Sequence, residues 1–328
     1  MRIAITGSIA TDHLMRFPGK FADSFVDGKM DKISLSFLVE ELEIRRGGVA
    51  PNIAFGMGVI GLKPILVGAV GSDFADYRSW LERHGVDTSG VHVSDSRHTA
   101  RFICTTDSEA NQLASFYPGA MSEARQIELQ PVADRVGSLD FVLIGANDPE
   151  AMMRHTDECR FRKIPFIADP SQQLARMEGP DIRTLIDGAT YLFTNEYEAA
   201  LIEQKTGWTA EEISQRVKHR VTTLGPGGSR IETAGEEPIF VPVPREEAVV
   251  DPTGVGDAYR AGFLAGIAWG LSHERCAQIG SLLATYVIET VGTQEYEVAQ
   301  KRFLDRFVAA YGESAAAEVA AHINCTRK

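Results

Sequence analysis

The sequence predicts an α/β protein with a doubly wound, mainly parallel sheet flanked by helices and a second, smaller sheet beside it. Short apolar runs that end in Gly, Asn or Asp alternate with longer segments of helical period, which is typical of βα units. Two other regions alternate apolar and polar residues in period two, which indicates strands with one covered and one free face. These two patterns together favour one main sheet and one separate small sheet.

The core strands are predicted where short apolar runs are bounded by turn residues. In chain order they are Ile3 to Thr6, Ile65 to Val70, Phe141 to Gly145, Phe166 to Asp169, Tyr191 to Thr194 and Arg220 to Leu224. The helices between them are predicted at Pro51 to Ile60, Asp73 to His84, Pro149 to Phe161, Asp181 to Asp187, Glu196 to Lys205 and Ala210 to Val217. Residues 256–321 are predicted to be helical throughout and to close the main domain.

The small sheet is predicted from segments that interrupt the βα alternation. Period two runs through Ile33 to Val39, Thr99 to Thr106 and Gln112 to Tyr117. We therefore expect one domain over residues 1–328, with lid strands inserted at about residues 10–45 and 97–118. A sheet that stands apart from the main sheet in this way is able to act as a lid.

Composition argues against several classes of protein. The chain has 33 basic and 45 acidic residues and a formal net charge of −12, which argues against a nucleic acid polymer as partner. The longest apolar stretches fall short of the roughly 18 residues needed to span a bilayer, and the start of the chain is predicted to be a strand. We therefore expect a cytoplasmic protein without a membrane partner. The cysteines show no C-x-x-C spacing, so neither a zinc site nor a disulfide framework is predicted.

The most informative segment is Asp251-Pro252-Thr253-Gly254-Val255-Gly256-Asp257, a glycine-rich turn followed by a segment of helical period. The first turn of a helix carries unpaired N–H groups and the positive end of the helix dipole, so such a turn can hold an anion. A single Asp at this place is more often a helix cap. Because glycines that allow close approach precede Asp257, we expect instead a base beside an anion site, which is what phosphoryl transfer needs.

This segment resembles the C-terminal signature D-T-x-G-A-G-D of the ribokinase family of sugar and nucleoside kinases, also called the PfkB family. Pro252 and Val255 depart from that signature at positions that supply backbone rather than side-chain chemistry. The resemblance implies a ribokinase-like fold and ATP-dependent phosphoryl transfer. It makes Asp257 the general base, with an anion hole at Gly254, Val255 and Gly256. The P-loop pattern G-x-x-x-x-G-K-[ST] does not occur, so that nucleotide cradle is excluded.

A second match lies at Arg46-Gly47-Gly48-Val49-Ala50-Pro51-Asn52, which resembles the N-terminal signature of the same family. On its own this segment is equally well a tight turn that leads into a helix. The resemblance implies that Gly48 lets a substrate approach the backbone, that Asn52 bonds a sugar hydroxyl and that Asp12 accepts hydrogen bonds from a ribose diol. The substrate-binding residues expected in this part of the chain are Ser8, Asp12, Ser36, Gly48 and Asn52.

Two further matches concern the phosphate donor. Asn195-Glu196-Tyr197-Glu198 is similar to the family's N-x-x-E element, although a charged helix start explains it as well. The resemblance implies that Glu198 binds Mg²⁺ through water, a mode that suits a cation that keeps most of its waters. The residues expected at ATP are Asn195, Thr223, Gly225 and Gly228, the last three in a segment that resembles the family's nucleotide loop. A K⁺ ion beside the anion hole is implied at Asp251 and Thr253, where Pro252 changes the available carbonyls.

The acceptor is predicted from side chains on the lid and after one core strand. The rings of Phe102 and Phe116 are expected to stack on a purine, although both are equally ordinary apolar residues of a small sheet. Gln172 and Gln173 are expected to bond a base edge. The strings from Phe116 to Met121 and from Asp169 to Leu174 resemble those of the actinobacterial adenosine kinases of this family. That resemblance implies 5′-phosphorylation of adenosine to AMP, and a homodimer in which the lid sheets meet.

Two alternatives remain open from the sequence. One is a ribokinase or another sugar kinase of the same family, because the fold and the base alone leave the acceptor undetermined. The other is a noncatalytic protein that binds a nucleoside or a sugar. The presence of Asp257 together with both flanking glycines argues against the second alternative, since binding alone does not require a base.

Overall fold

The computed structural model describes residues 1–25 and 34–325. In this part of the chain the strands are β1 (Ile3–Thr6), β2 (Ala10–Arg16), β3 (Glu41–Gly47), β4 (Ile65–Val70), β5 (Asp87–Val93), β6 (Ala100–Thr106), β7 (Gln112–Tyr117), β8 (Phe141–Gly145), β9 (Phe166–Asp169), β10 (Tyr191–Asn195), β11 (His219–Thr223), β12 (Ser229–Thr233) and β13 (Ile239–Val241). The α-helices are α1 (Val49–Val59), α2 (Ala75–Arg83), α3 (Leu129–Val136), α4 (Pro149–Arg162), α5 (Gly179–Ile186), α6 (Glu196–Thr206), α7 (Ala210–Arg216), α8 (Val255–Ala268), α9 (His273–Ile288), α10 (Gln300–Tyr311) and α11 (Glu313–Ala320).

The main sheet of the described residues has nine strands in the order β13-β12-β11-β10-β9-β8-β1-β4-β5. Neighbouring strands from β11 to β5 pair in parallel, and β12 and β13 add an antiparallel edge. Alternate residues of β1 enter two different apolar clusters, Ile3 and Ile5 in one and Ala4 in the other. Both faces of the sheet are therefore covered, which confirms the predicted doubly wound architecture.

The six predicted core strands are confirmed to within one residue at either end. The strands β5, β12 and β13 were not predicted. They lie at the two edges of the sheet, where a strand needs no continuous apolar run, and β5 begins with the polar residues Asp87, Thr88 and Ser89. The six predicted helices are confirmed with ends displaced by up to two residues, while the helix α3 was not predicted.

The small sheet has the strand order β3-β2-β6-β7. The prediction of a strand over Ile33 to Val39 is wrong for the described residues 34–39, and Ile33 itself lies outside the described residues. The strand of this region is β3, which pairs with β2 from Glu41 to Gly47. Of the apolar residues before it, Phe37 packs on two rings, with its centroid 4.9 Å from that of Phe17 and 5.0 Å from that of Phe21, while Leu35 and Leu38 are exposed.

The prediction that residues 256–321 are helical throughout is wrong between α9 and α10. Residues 289–299 are non-helical, and within them Gly292 has a φ of 89°, which an α-helix does not accommodate. The carboxylate of Asp251 accepts the N–H of Gly292 at 3.1 Å and holds this segment beside the start of α8. Residues 289–299, which were predicted to be helical, instead form part of the wall of the cleft described below.

No helix within residues 1–25 and 34–325 is long and apolar enough to cross a membrane. The same residues contain no group of three or more His, Cys, Asp or Glu side chains placed to hold a metal ion.

Candidate active site

A cleft of about 590 Å³ lies between the small sheet and the ends of the core strands β1, β8 and β9. This is where open parallel sheets bind their ligands, because loops from neighbouring strands converge at the carboxyl edge. The predicted site residues that line the cleft are Ser8, Asp12, Gly48, Asn52, Phe102, Phe116, Gln172, Gln173, Thr253, Gly254 and Asp257. A larger cavity of about 940 Å³ lies between the end of α1 and residues 296–304, and none of the predicted site residues lines it.

The glycine-rich turn forms the start of α8, and Gly254 is its N-cap residue. Gly254 has a φ of 79°, and a Cβ atom at this position would lie 2.8 Å from Cγ2 of Thr293. Glycine is therefore required both by the backbone angle and by the neighbouring wall. Val255 and Gly256 follow in the first helical turn, where the positive end of the helix dipole faces the cleft.

The side chain of Asp257 points away from its own helix cap and bonds Asn52, 205 residues away in the chain. Nδ2 of Asn52 donates to Oδ2 of Asp257 at 2.8 Å. Burial raises the pKa of the Asp257 carboxyl to about 7, against the lowering effects of the Asn52 hydrogen bond and of the charge on Arg260. A carboxylate with a pKa near neutrality and an open cleft beside it is suited to accept a proton from a bound hydroxyl.

Asp12 begins a row of side chains that crosses the small sheet on its cleft face. Asp12 pairs with Phe102 on one side and with Arg45 on the other, and Phe102 pairs in turn with Phe116. Residues opposite one another in a sheet project from the same face, so a carboxylate and two phenyl rings follow in order along the cleft. Burial raises the pKa of the Asp12 carboxyl, and the charge of Arg45 partly offsets this rise.

Gly48 lies where the small sheet meets α1. Its φ is 97°, and a Cβ atom here would lie 2.5 Å from the carbonyl oxygen of Ser8. The hydroxyl of Ser8 accepts the N–H of Val49 at 3.4 Å, so it helps to hold the start of α1. The backbone of Gly48 therefore borders the cleft without any side chain between it and a ligand.

The two glutamines after β9 differ in their environment. Gln172 is exposed at the cleft, and its Oε1 accepts the hydroxyl of Ser171 at 2.7 Å. Gln173 is buried, and its Nε2 donates to the carbonyl of Asn147 at 2.7 Å. The predicted substrate residue Ser36 is exposed and does not line the cleft, and it lies in the segment 34–39, which forms no strand of the small sheet.

The residues predicted for ATP lie at the ends of the adjacent strands β10 and β11, outside the cleft lining but on the same edge of the sheet. Asn195 and Glu198 form a capping box at the start of α6, in which each side chain accepts the backbone N–H of the other at 2.8 Å. Burial raises the pKa of the Glu198 carboxyl. Thr223 ends β11 and is followed by a turn in which Gly225 and Gly228 have φ angles of 56° and 93°.

The family resemblance implies two cations, Mg²⁺ and K⁺, and the residues at the two expected sites suit them to different degrees. The capping box uses Oδ1 of Asn195 and Oε2 of Glu198, and the hydroxyl of Ser171 also interacts with the Glu198 carboxylate, so a hydrated Mg²⁺ would share this carboxylate with protein donors. Asp251 is more fully engaged, since its oxygens accept the N–H groups of Thr253 and Gly292 and its Oδ2 lies 3.6 Å from Nη1 of Arg45. A K⁺ ion at Asp251 and Thr253 would therefore have to rest on backbone carbonyls.

Several polar residues that contact the site were not predicted from the sequence. Arg260, one turn after the base, forms a buried ion pair with Asp169 at the end of β9, with Nη2 at 2.6 Å from Oδ1. In the non-helical segment, Nε2 of Gln294 donates to Oδ1 of Asn52 at 2.9 Å, and the hydroxyl of Thr293 lies 2.9 Å from the same oxygen. Their sequence surroundings match no motif, so only the fold brings them to the site.

A family model described as pfkB family carbohydrate kinase matches residues 10–300. The chain belongs to this family. The match confirms the predicted family, and the chain is accordingly a kinase, a phosphotransferase with an alcohol acceptor.

Curated relatives and solved structures agree with the family. A nucleoside kinase of Methanothermobacter thermautotrophicus is 30% identical over 288 residues, which cover 84% of this chain and 89% of the relative. A nucleoside kinase of Methanocaldococcus jannaschii is 30% identical over 250 residues, covering 76% and 80%. The structure of Burkholderia thailandensis nucleoside kinase in complex with inosine is 33% identical and covers 95% of this chain and 99% of its own, with a TM-score of 0.82. The ribokinase-like fold is thereby confirmed.

Proposed function

We propose that this member of the pfkB family is a nucleoside kinase that transfers the γ-phosphate of ATP to the 5′-hydroxyl of adenosine and so produces AMP. The two archaeal relatives and the Burkholderia protein described above are nucleoside kinases, and the Burkholderia structure contains inosine. Inosine shares with adenosine a ribose that carries a purine. These likenesses support a nucleoside acceptor, and the geometry of the cleft supports the purine.

The row of Asp12, Phe102 and Phe116 is the observation that carries the proposal. Adjacent strands are about 4.8 Å apart, so the carboxylate and the outer ring are separated by about 10 Å along the cleft. A nucleoside has the matching polarity, with a diol at one end for the carboxylate and a flat base at the other end for the rings. A free sugar would leave both rings uncovered, which favours a nucleoside over ribose.

The chemical step follows from the position of Asp257. Its carboxylate accepts the proton of the 5′-hydroxyl while the 5′-oxygen forms a bond to the γ-phosphorus and the bond from that phosphorus to the bridging oxygen of ADP breaks. The first turn of α8, with Gly254 and Gly256, lies where negative charge collects on the transferred group. Mg²⁺, held through water by Glu198 and by the phosphates, would neutralise charge on the donor.

A kinase for a phosphorylated sugar is less well supported. Such a substrate needs a free cation near Asp12 for its phosphate. Arg45 is bound to Glu43, with Nη2 to Oε2 at 2.7 Å, and also faces Asp251. Arg46 stacks over the ring of Trp80 at 4.1 Å and pairs with Glu295. Both arginines beside Asp12 are thus engaged by protein groups, and Arg176, which also lines the cleft, follows Gln172 and Gln173 in the chain rather than lying on the small sheet with Asp12.

We also propose a homodimer formed through the outer face of the small sheet. The residues beside those of the cleft row project to the opposite face, where Leu42 and Ile44 of β3 are 57% and 59% exposed. Met15 pairs with Leu42 across the strands, and Thr105 pairs with Leu113, so apolar side chains recur across this face. Covering such a surface with a second copy would remove it from water.

The proposal is tested by measuring turnover of adenosine, inosine, cytidine and ribose with ATP, for the unaltered protein and for Asp257→Asn. We expect adenosine to have the highest kcat/KM and the substitution to lower kcat by about 10³-fold, because the general base is lost. Adenosine affinity, measured by calorimetry, should change by less than about threefold, since Asn fills the same space.

The matched control is Asp181→Asn, which removes an exposed carboxylate from the first turn of α5, outside the cleft. Its kinetics should equal those of the unaltered protein. Ribose turned over faster than any nucleoside would overturn the nucleoside proposal, and an active Asp257→Asn enzyme would remove Asp257 from the mechanism.

A further inference from the structure

Four hydrogen bonds connect a backbone carbonyl of the small sheet to the carboxylate of the proposed base. The hydroxyl of Tyr77 lies 3.0 Å from the carbonyl oxygen of Gly47, and Nε2 of Gln294 lies 2.6 Å from that hydroxyl. The same Nε2 lies 2.9 Å from Oδ1 of Asn52, whose Nδ2 lies 2.8 Å from Oδ2 of Asp257. The chain of bonds joins residues from β3, α2, the 289–299 segment, α1 and α8.

The carbonyl oxygen of Gly47 determines which group donates and which accepts in each of these four hydrogen bonds. A carbonyl oxygen can only accept, so the hydroxyl of Tyr77 must donate its single proton to Gly47. The oxygen of Tyr77 then accepts from Nε2 of Gln294, and the second hydrogen of that nitrogen is left for Oδ1 of Asn52. The amide of Asn52 consequently turns its N–H group toward Asp257.

Thr293 contacts the same oxygen of Asn52 from a second side. Its hydroxyl lies 2.9 Å from Oδ1 of Asn52 and 3.0 Å from the carbonyl oxygen of Arg46. The hydroxyl has one proton for these two contacts and can also accept, so the orientation of Asn52 rests on Gln294 rather than on Thr293. A reversed Asn52 amide would place N–H groups against the N–H of Gln294, with no acceptor between them.

Tyr77, Gln294 and Asn52 are buried, although Asn52 also borders the cleft, and burial makes the arrangement costly to replace. Tyr77, Asn52 and Gln294 are only 5%, 6% and 1% exposed. A buried amide that loses its partner is not compensated by solvent, so reversing one member would leave several groups without partners. The orientation of Asn52 is therefore set by the fold rather than by the ligand.

We propose that Gln294, held by Tyr77, is a positioning residue of the kinase, which fixes the amide of Asn52 so that it donates to Asp257 and stabilises the base in its ionised form. The inference rests on the proposed role of Asp257 and extends it to a residue outside every signature of the family. It also makes Asn52 a hydrogen-bond donor toward the reacting centre, because its oxygen is already occupied.

The pKa of Asp257 agrees with this role, since the bond from Asn52 lowers it while burial raises it. The charged and titratable groups that face Asp257 come from five elements. They are Arg260 on α8, Asp169 at the end of β9, Glu198 on α6, Tyr77 on α2 and Tyr296 in the 289–299 segment. A neutral substitution of Gln294 leaves all of these groups in place. A change in the pKa of Asp257 therefore reports on the hydrogen bonds that link Tyr77, Gln294 and Asn52.

The test compares Gln294→Met with the unaltered protein over pH 5 to 9. Methionine keeps the volume and removes the donor, so Asn52 is held only by Thr293 and its bond to the carboxylate weakens. We expect the acid limb of the pH profile of kcat/KM to move up by about one unit, because a hydrogen bond to a charged group is worth about one to two pKa units. That shift lowers kcat/KM about tenfold at pH 6 and less than about twofold at pH 9.

Two further variants distinguish a positioning role of Gln294 from a merely structural role. Tyr77→Phe removes one oxygen and leaves the Gln294 donor in place, so we expect a smaller shift of the acid limb in the same direction. The matched control is Gln278→Met on α9, another buried glutamine that does not line the cleft, and its profile should be unchanged. Equal loss of activity at pH 6 and at pH 9 in Gln294→Met would show a merely structural role and overturn the inference.

A measurement without turnover separates this inference from the proposed function. The carboxyl carbons of ¹³C-labelled aspartates are titrated by NMR in the unaltered protein and in Gln294→Met, and Asp257 is assigned by its absence in Asp257→Asn. An upward shift of the Asp257 titration supports the inference, and an unchanged titration overturns it. If the unaltered protein phosphorylates no nucleoside, the proposed function fails while this titration still gives its answer.

Discussion

At the scale of single residues, the ionisation of Asp257 connects catalysis to stability. Burial raises the pKa of its carboxyl from the ordinary value of 3.8 to about 7. Below pH 4 both the folded and the unfolded chain carry the proton, so this group contributes nothing to the pH dependence. Between pH 4 and 7 the unfolded chain loses the proton first, and the free energy of unfolding falls as the pH rises. The same burial that produces a base near neutrality therefore makes the folded state less stable above pH 7.

The fall in the free energy of unfolding with rising pH gives a prediction for Asp257→Asn that does not depend on activity. An uncharged amide avoids the cost of a buried charge, so the melting temperature of the variant should exceed that of the unaltered protein by a few degrees at pH 8. At pH 4.5 the difference should be much smaller, because the native carboxyl is then protonated. Differential scanning calorimetry at both pH values measures the change, and Asp181→Asn serves as the exposed control. A gain of the same size at both pH values would contradict a raised pKa.

The sequence predicted those site residues that lie within short signatures, because a glycine-rich turn and its carboxylate are adjacent in the chain. It did not predict Gln294, which bonds Asn52 from 242 residues away, or Tyr77, which reaches Asn52 only through Gln294. Their hydrogen bonds exist only once α1, α2 and the 289–299 segment have packed together. Ser36 shows the reverse case, since it was predicted from the resemblance and lies outside the cleft.

At the scale of secondary structure, the proposed function assigns the choice of acceptor to the cross-strand row of the small sheet. Phe116 on β7 is partly exposed toward the cleft, where a base would cover its ring. Base stacking on an aromatic ring is worth about 1–3 kcal/mol. Phe116→Ala should therefore raise the KM for adenosine about tenfold and leave the KM for ribose, if it is turned over, unchanged.

The control for this prediction lies on the same strand and faces the other way. Leu113 is 48% exposed and Phe116 43%, so the two substitutions remove comparable apolar surface from opposite faces of β7. Leu113→Ala should leave the KM for adenosine within about twofold of the unaltered value. Steady-state kinetics at saturating ATP measure both. Equal effects of the two substitutions would mean that Phe116 acts on the sheet rather than on the base.

The strands themselves were predictable to different degrees for a physical reason. The core strand β8 is buried along its whole length, so its apolar run is visible in the sequence. The lid strand β3 reads Glu-Leu-Glu-Ile-Arg-Arg-Gly and is apolar on its outer face, with Arg45 on the cleft side beside Asp12. Its pattern resembles an exposed charged segment, and the prediction fell instead on the more apolar residues before it.

At the scale of the whole molecule, the outer face of the small sheet is an apolar surface that a second copy would cover in the proposed dimer. We expect the unaltered protein to be a dimer by light scattering and sedimentation. The double substitution Leu42→Glu and Ile44→Glu should produce monomers, because it would bury four carboxylates in a two-fold interface. Phe161→Glu is the matched control, since this side chain on α4 is 85% exposed and lies away from the small sheet. It should remain a dimer.

Because β2 and β6 carry both faces of the sheet, the monomeric variant should also bind adenosine more weakly, with the fold unchanged by circular dichroism. A double variant that stays dimeric would place the contact elsewhere, and an unaltered protein that is monomeric would refute the dimer outright.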